Sequence, residues 1–336
     1  MALKRYLGVL RNLAYLVTVG MWRSVQQLRK EFRKAADLGL NLHVVIMTGG
    51  MGDMIAAEPS VRKIIRADEH VVMLARSTYL SLLDFDPSID AAIRVDAYLQ
   101  TLLLKKLFRA ARWTNLHLDG YRCNMFRIAV ANANAAGITV ANYYDNRTLA
   151  EAYWLANVGS SGSDNPRVYP DPSFDVHGFL KNSFLTADRP LLVLHTQATE
   201  SIRSWPAALC RKTMARLQAD TEINILELGL NPVLESSVRV FQLRNRVPLS
   251  QQMAIMRRAV AFLGVDSGFA HIATAIGLPC ALLLCAYKDF KVYLPWSVRP
   301  DDIVIRSSLT MQDIAYEQVL NAAMQVTARR SSRFQA

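Results

Sequence analysis

Short apolar runs alternate along this chain with segments whose apolar residues recur every three or four positions. The runs Leu42–Met47, His70–Ala75, Leu191–His195, Ile223–Leu228, Val260–Val265 and Cys280–Leu284 have the length and content of strands buried on both faces. The shorter run Ala92–Val95 reads the same way. Helical spacing appears over Met54–Ile65, Leu99–Ala111, Asn124–Ala136, Leu149–Val158, Ala207–Gln218, Leu249–Arg258, Phe269–Ile276 and Met311–Ala328. Pro59 predicts a kink inside the first of these, whereas Pro206 suits a first helical turn. Strand–helix–strand alternation builds parallel sheets with helices on both faces. The series starts at Leu42 and restarts at Leu191, which predicts an α/β chain of two Rossmann-like, doubly wound domains.

The expected organisation has five parts. Residues 1–40 are a basic amphipathic helical extension, and 41–160 the amino-terminal Rossmann-like domain. Residues 161–190, rich in Gly, Ser and Pro, are a linker. Residues 191–310 form the carboxyl-terminal Rossmann-like domain, and 311–336 a terminal helix with a basic tail. In the extension Leu3, Leu7, Leu10, Ala14, Val17 and Met21 make a helical stripe. Beyond it come Arg23, Arg29, Lys30, Arg33 and Lys34. This pattern fits a helix lying on an anionic membrane surface, and equally one packed on the protein or on a second subunit.

Composition narrows the classes. The chain has 336 residues, 51% of them hydrophobic, enough for two cores. Its formal charge of +11 favours a nucleotide, an anionic lipid surface or a nucleic acid. No nucleic-acid recognition motif accompanies that charge, so no nucleic-acid partner is expected. Cys123, Cys210, Cys280 and Cys285 show neither metal-ligand spacing nor a disulfide framework, which points to a reducing compartment. No metal and no cofactor are expected.

Three stretches carry chemistry. Val260–Pro279 reads as strand, tight turn, short helix and turn. It sets Asp266, Ser267, Gly268 and His271 around a helix N-terminus, an end that suits a phosphate. Ser267 and His271, four apart, share a helix face. The second stretch, Glu200–Pro206, places Arg203 in a loop after a strand, where a guanidinium can grip a diphosphate through two bonds. In the third, Gly49, Gly50 and Gly52 lead to Asp53 at a helix start. Asp53 reads either as a helix cap or as a general base at the carboxyl end of a strand. Gly50–Ile55 also approximates a dinucleotide fingerprint, but Ile55 takes the place of its third glycine.

Taken together, HVVIMTGGMGDMIAAEPSVRKI, LLVLHTQATESIRSWP and VDSGFAHIATAIGLPCALL resemble the family 9 glycosyltransferases, best known as lipopolysaccharide heptosyltransferases. The resemblance spans Leu42 to about Pro279 and implies a GT-B fold, two Rossmann-like domains facing across a cleft. It implies inverting, metal-independent transfer of a sugar from a nucleotide-diphosphate donor, ADP-heptose-like, to a cell-envelope glycan or glycolipid such as lipopolysaccharide core. Asp53 would be the base, Arg203 would hold the diphosphate, Ser267, Gly268 and His271 the donor phosphates, and Asp266 the donor sugar. Gly50, Gly52, Asp119 and Arg122 would face the acceptor. The family's Gly-Pro-Thr-like turn is replaced by Leu284-Cys285-Ala286-Tyr287-Lys288, so the donor stays open. The implied location is cytoplasmic, with the inner-membrane surface as a peripheral site. The alternatives are an NADP-binding oxidoreductase and a non-catalytic sugar-nucleotide-binding protein.

Overall fold

In the computed structural model, which describes residues 19–122, 129–145, 148–162, 164–183, 189–244, 246–286 and 294–331, the apolar runs become parallel strands. The chain divides into two compact units, residues 1–143 with 151–164 and residues 144–150 with 165–336.

In the amino-terminal unit β1 (Asn41–Ile46) pairs with β2 (Glu69–Ala75) and β4 (Arg112–Asn115), and β2 pairs with β3 (Ala91–Arg94). All are parallel, in the order β3-β2-β1-β4. The chain moves outward from β1 and then returns to its other side, so the topological switch lies between β1 and β4. Helices α2 (Met51–Ile64) and α3 (Tyr98–Leu107) lie between these strands in the chain. The helix expected over Leu99–Ala111 ends at Leu107, and Arg112 is the first residue of β4. There its guanidinium bonds Glu69 at 2.6 Å, and Glu69 also bonds His43 at 2.9 Å. A buried carboxylate needs such partners. Desolvation holds the His43 imidazole below its usual pKa, against the pull of Glu69.

Ahead of β1 runs α1 (Met21–Asp37). The basic residues expected to flank a helix therefore lie on one. Val25, Leu28 and Ala35 enter the same core as Val44, Ile46 and Leu74. Ser24 Oγ donates to the Arg94 carbonyl at 2.9 Å, and Glu31 bonds His70 at 2.8 Å. The opposite face exposes Trp22, Arg23, Arg29, Lys30, Phe32 and Arg33. The earlier apolar stripe, Leu3 to Val17, lies outside the described residues.

The helix expected over Asn124–Ala136 is not found in the described part of that stretch. A two-residue antiparallel ladder joins β5 (Tyr121–Arg122) to β6 (Ala129–Val130), and 131–136 is irregular. Asn132 explains part of this, since its amide donates to the carbonyls of Asn115 and His117. Such side-chain bonds compete with helix formation. Helix α4 (Leu149–Val158) forms as its spacing predicts.

The segment expected as a linker contains α5 (Val176–Asn182), whose first turn is capped by Asp175 accepting from Gly178 N at 2.9 Å. Phe179 of α5 packs on Phe174 and Phe241, so this stretch is part of the carboxyl-terminal unit. In that unit β7 (Leu191–His195), β8 (Asn224–Glu227), β9 (Val240–Gln242), β10 (Ala261–Val265), β11 (Cys280–Leu284) and β12 (Ile303–Arg306) form a parallel sheet. Its order, β12-β11-β10-β7-β8-β9, puts the switch point between β7 and β10. Helices α6 (Ala207–Asp220), α7 (Leu249–Arg257) and α8 (Gly268–Ala275) follow β7, β9 and β10 in the chain. The terminal α9 (Tyr316–Ser331) sends Val319, Ala322, Ala323 and Val326 into the core with Met214 and Leu217 of α6. Gly264 in β10 has a packing reason: a Cβ there would lie 2.5 Å from the His195 carbonyl oxygen and 2.7 Å from the Phe262 ring.

Candidate active site

Each unit gathers expected site residues at its own switch point. In the amino-terminal unit β1 is followed by a loop through Thr48, Gly49 and Gly50, and α2 starts at Met51. Asp53, in the first turn, turns back so that its Oδ2 accepts the Gly50 N–H at 2.8 Å. That is half of a capping box, and it meets a donor which the helix itself cannot. The other oxygen, Oδ1, accepts the Tyr153 hydroxyl of α4 at 3.0 Å. Asp53 is thus a cap and more than a cap. Gly49 is small because Asp53 needs the room: a Cβ at 49 would sit 2.9 Å from the Asp53 Cβ.

Across the switch, past the end of β4, His117 Nε2 lies 2.9 Å from Thr48 Oγ1 and accepts the Thr48 N–H at 3.2 Å. Its tautomer therefore carries the proton on Nδ1. The ring stacks on Tyr121 at 4.3 Å and meets Tyr98 edge-on at 5.8 Å. Full burial pushes its pKa down to about 3, so it is neutral at any physiological pH. The Tyr121 hydroxyl donates to the Thr48 carbonyl at 3.3 Å. Thr48, His117 and Tyr121 thus clamp the loop that carries Asp53.

Two expected acceptor residues stand differently. Asp119 Oδ1 accepts the Asn132 N–H at 2.7 Å, and its carbonyl accepts the Val140 N–H at 2.9 Å, so it organises its own loop. Arg122 is exposed at the end of β5. Gly52 lies in the first turn of α2, one residue before Asp53.

In the carboxyl-terminal unit the loop after β7 carries Arg203 to the turn after β10. Its Nη1 donates to Asp266 Oδ2 at 3.1 Å and to the Asp266 carbonyl at 3.4 Å. On its other side Nε donates to Glu200 Oε2 at 2.9 Å, and Nη2 bonds the same oxygen. Trp205 anchors this loop, its side chain buried and its backbone N–H on the Thr196 carbonyl at 2.8 Å. Ser267 is the N-cap of α8 with extended backbone, but its hydroxyl makes no cap bond. That Oγ is shielded from solvent and has no hydrogen-bond partner among the described residues. Gly268 is the first residue of α8. A guanidinium, an unanswered hydroxyl and a helix N-terminus thus sit on the segments that follow β7 and β10, groups of the kind that suit a phosphate.

His271, one turn into α8, is buried, and desolvation lowers its pKa to about 4. It is a neutral imidazole, able to donate a hydrogen bond but not to supply charge. His195 was not singled out by its sequence surroundings. It ends β7, packs on the Phe269 ring at 4.8 Å, and is also held near pKa 4 by burial. Among the described residues no group of three or more His, Cys, Asp and Glu side chains could hold a metal ion.

The fold and this second site define a class. Residues 145–311 match the model of glycosyltransferase family 9 (heptosyltransferase), a segment that holds Arg203, Asp266, Ser267, Gly268 and His271. That segment is therefore a family 9 glycosyltransferase domain, and the protein is an enzyme of the glycosyltransferase class with the GT-B fold. Asp53 lies outside the matched residues. Over 87% of the chain the structure is similar to a family 9 glycosyl transferase from Veillonella parvula, at 16% identity, 99% of that chain and a TM-score of 0.66. It is similar over the same share to the E. coli ADP-heptose lipopolysaccharide heptosyltransferase II, at 15% identity, 100% of that chain and a TM-score of 0.66. An E. coli heptosyltransferase solved with ADP aligns over 85% of this chain and 99% of its own, at 14% identity and a TM-score of 0.55. No curated protein matches the chain by sequence.

Proposed function

We propose that the protein moves a sugar from a nucleoside-diphosphate donor, ADP-heptose-like, to a hydroxyl of a cell-envelope glycan or glycolipid such as lipopolysaccharide core. The observation that carries this reading is Arg203, poised beside Asp266 and the unpartnered Ser267 hydroxyl at the switch point of the sheet. Leaving-group departure builds negative charge on the diphosphate. Arg203 stabilises it electrostatically, with the α8 N-terminus and the Ser267 hydroxyl as neutral donors. No metal ion or cofactor is assigned a step. His271, being neutral, contributes shape or a hydrogen bond. Asp266 orients Arg203 and is available to a donor-sugar hydroxyl. Asp53 is the base: it takes the proton of the acceptor hydroxyl while that oxygen attacks the anomeric carbon from the face opposite the diphosphate, which inverts the centre. Arg122, exposed, and Gly50 and Gly52 beside the base are assigned to the acceptor.

The dinucleotide alternative meets a physical objection. The Gly50 N–H that a pyrophosphate would use is bonded to Asp53, whose negative charge would repel it. The discriminating experiment is a thermal shift with ADP-heptose, ADP, other nucleotide sugars and NADPH. At 100 times its dissociation constant the right donor adds about 2.7 kcal/mol of stability. A shift with NADPH and none with any nucleoside diphosphate overturns the reading. Stabilisation by ADP-heptose, with no ADP released when lipopolysaccharide acceptors are added, leaves a binding protein rather than a transferase.

A further inference from the structure

We propose that Tyr153 is a positioning residue for the catalytic base, fixing the Asp53 carboxylate through the hydrogen bond from its hydroxyl to Oδ1. The inference rests on the reading of Asp53 as the base. A helix cap needs one carboxylate oxygen, and the Gly50 N–H supplies that bond from three residues away. The second oxygen receives a phenol from a helix one hundred residues further along the chain, at 3.0 Å. Tyr153 is almost wholly buried, at 1% exposure, whereas Asp53 is partly exposed. A buried phenol requires a partner, and here that partner is an ion.

The arrangement has the features a base requires. Two bonds at different oxygens fix the plane of the carboxylate and stop rotation about χ2, as one bond would not. Burial first, and then the Asp53 charge, raise the Tyr153 hydroxyl well above its ordinary pKa. The phenol therefore keeps its proton before and after transfer, and the acceptor's proton goes to Asp53. Asn157, one turn further along α4, donates its amide to the carbonyls of Leu116 and Tyr153, which anchors that helix beside the end of β4.

The test uses the full-length protein, ADP-heptose as donor and core-truncated lipopolysaccharide as acceptor, with ADP release as readout. Tyr153→Phe is expected to lower kcat about tenfold and to leave KM for ADP-heptose within about twofold. It is also expected to move the acidic limb of the kcat/KM profile up by about one pH unit, because a bond favouring the charged carboxylate is lost. Replacing Tyr153 with 3,5-difluorotyrosine keeps the size and strengthens the donor, so the limb moves down. Unchanged kcat and limb in both variants, with Asp53→Asn inactive, overturn the role of Tyr153 and leave the base reading standing. Full activity of Asp53→Asn overturns the base reading itself. A substrate-free readout decides independently: in denaturant unfolding, Tyr153→Phe and Asp53→Ala should couple by about tenfold or more in the folding equilibrium at pH 7. A coupling below about twofold overturns the proposal whatever the donor is.

Discussion

Arg203 is held by two carboxylates, Glu200 on one side and Asp266 on the other. An arginine so placed cannot swing away, and it presents a guanidinium of fixed orientation to any anion that arrives. Arg203→Ala is therefore expected to weaken nucleoside-diphosphate binding by about 10- to 100-fold, the worth of a charge-assisted bond. Calorimetric titration with ADP checks this, and an unchanged dissociation constant removes Arg203 from the donor site. Gly49 makes a second prediction at the same scale. A methyl group at 49 would meet the stem of Asp53 rather than a flexible tip. Gly49→Ala should cost about 1–3 kcal/mol of stability and displace the Asp53 carboxylate. The urea midpoint reads the first effect and ADP release from ADP-heptose the second. Arg203, Asp53 and Asp266 were readable in the sequence because each follows an apolar run and adjoins a glycine, a turn or a helix start. Tyr153, His117 and Tyr121 were not, because their partners at Asp53 and Thr48 are remote in the chain and no local spacing records such contacts. Glu200 had a local spacing to Arg203, three residues, but surface pairs of that kind are too common to mark a site.

Elements buried on both faces matched the sequence pattern most closely. β7 and β11 have the bounds their apolar runs predict, and so does α4. β9 and β12 escaped because both are short edge strands, and an edge strand does not need a continuous apolar run. The hairpin β5–β6 escaped because Asn132 and Asp119 tie down its return by side-chain bonds. The extension shows the opposite case: its basic residues were legible, but the docking of α1 through Leu28 was not. That docking changes how membrane attachment is to be tested, since deleting α1 would uncover core. Arg29, Lys30 and Arg33 lie on the exposed side. If that face meets anionic lipid, each contributes about 1 kcal/mol. Replacing all three by glutamine should weaken binding to phosphatidylserine-containing vesicles by about 100-fold while the melting temperature holds. Equal vesicle binding by the triple variant would assign the face to protein contacts instead. No helix among the described residues is long and apolar enough to cross a membrane.

At the scale of the molecule, burial of neutral histidines makes stability depend on pH. His117, His195 and His271 have folded pKa values of about 3, 4 and 4, against about 6.5 when unfolded. Above about pH 6.5 both states are neutral and nothing is lost. Below it the unfolded chain takes up protons that the folded one refuses, so stability falls with decreasing pH until the folded values are reached. Each histidine contributes about 1.4 kcal/mol per pH unit across that window. The urea midpoint should thus be level between pH 7 and 8 and drop steeply between pH 6 and 5. A midpoint that stays level to pH 5 would contradict the neutral assignment of these rings. The division of the chain carries a different consequence. Residues 144–150 lie with the later unit, although 151–164 return to the earlier one. Thr148 bridges to Leu294, and the Leu149 N–H donates to the Leu294 carbonyl. No single cut therefore frees both units whole. A ribosome-bound chain completes the first unit only once residue 164 has emerged, by which time it has already set aside, at 144–150, a piece of a unit whose sheet is not yet made.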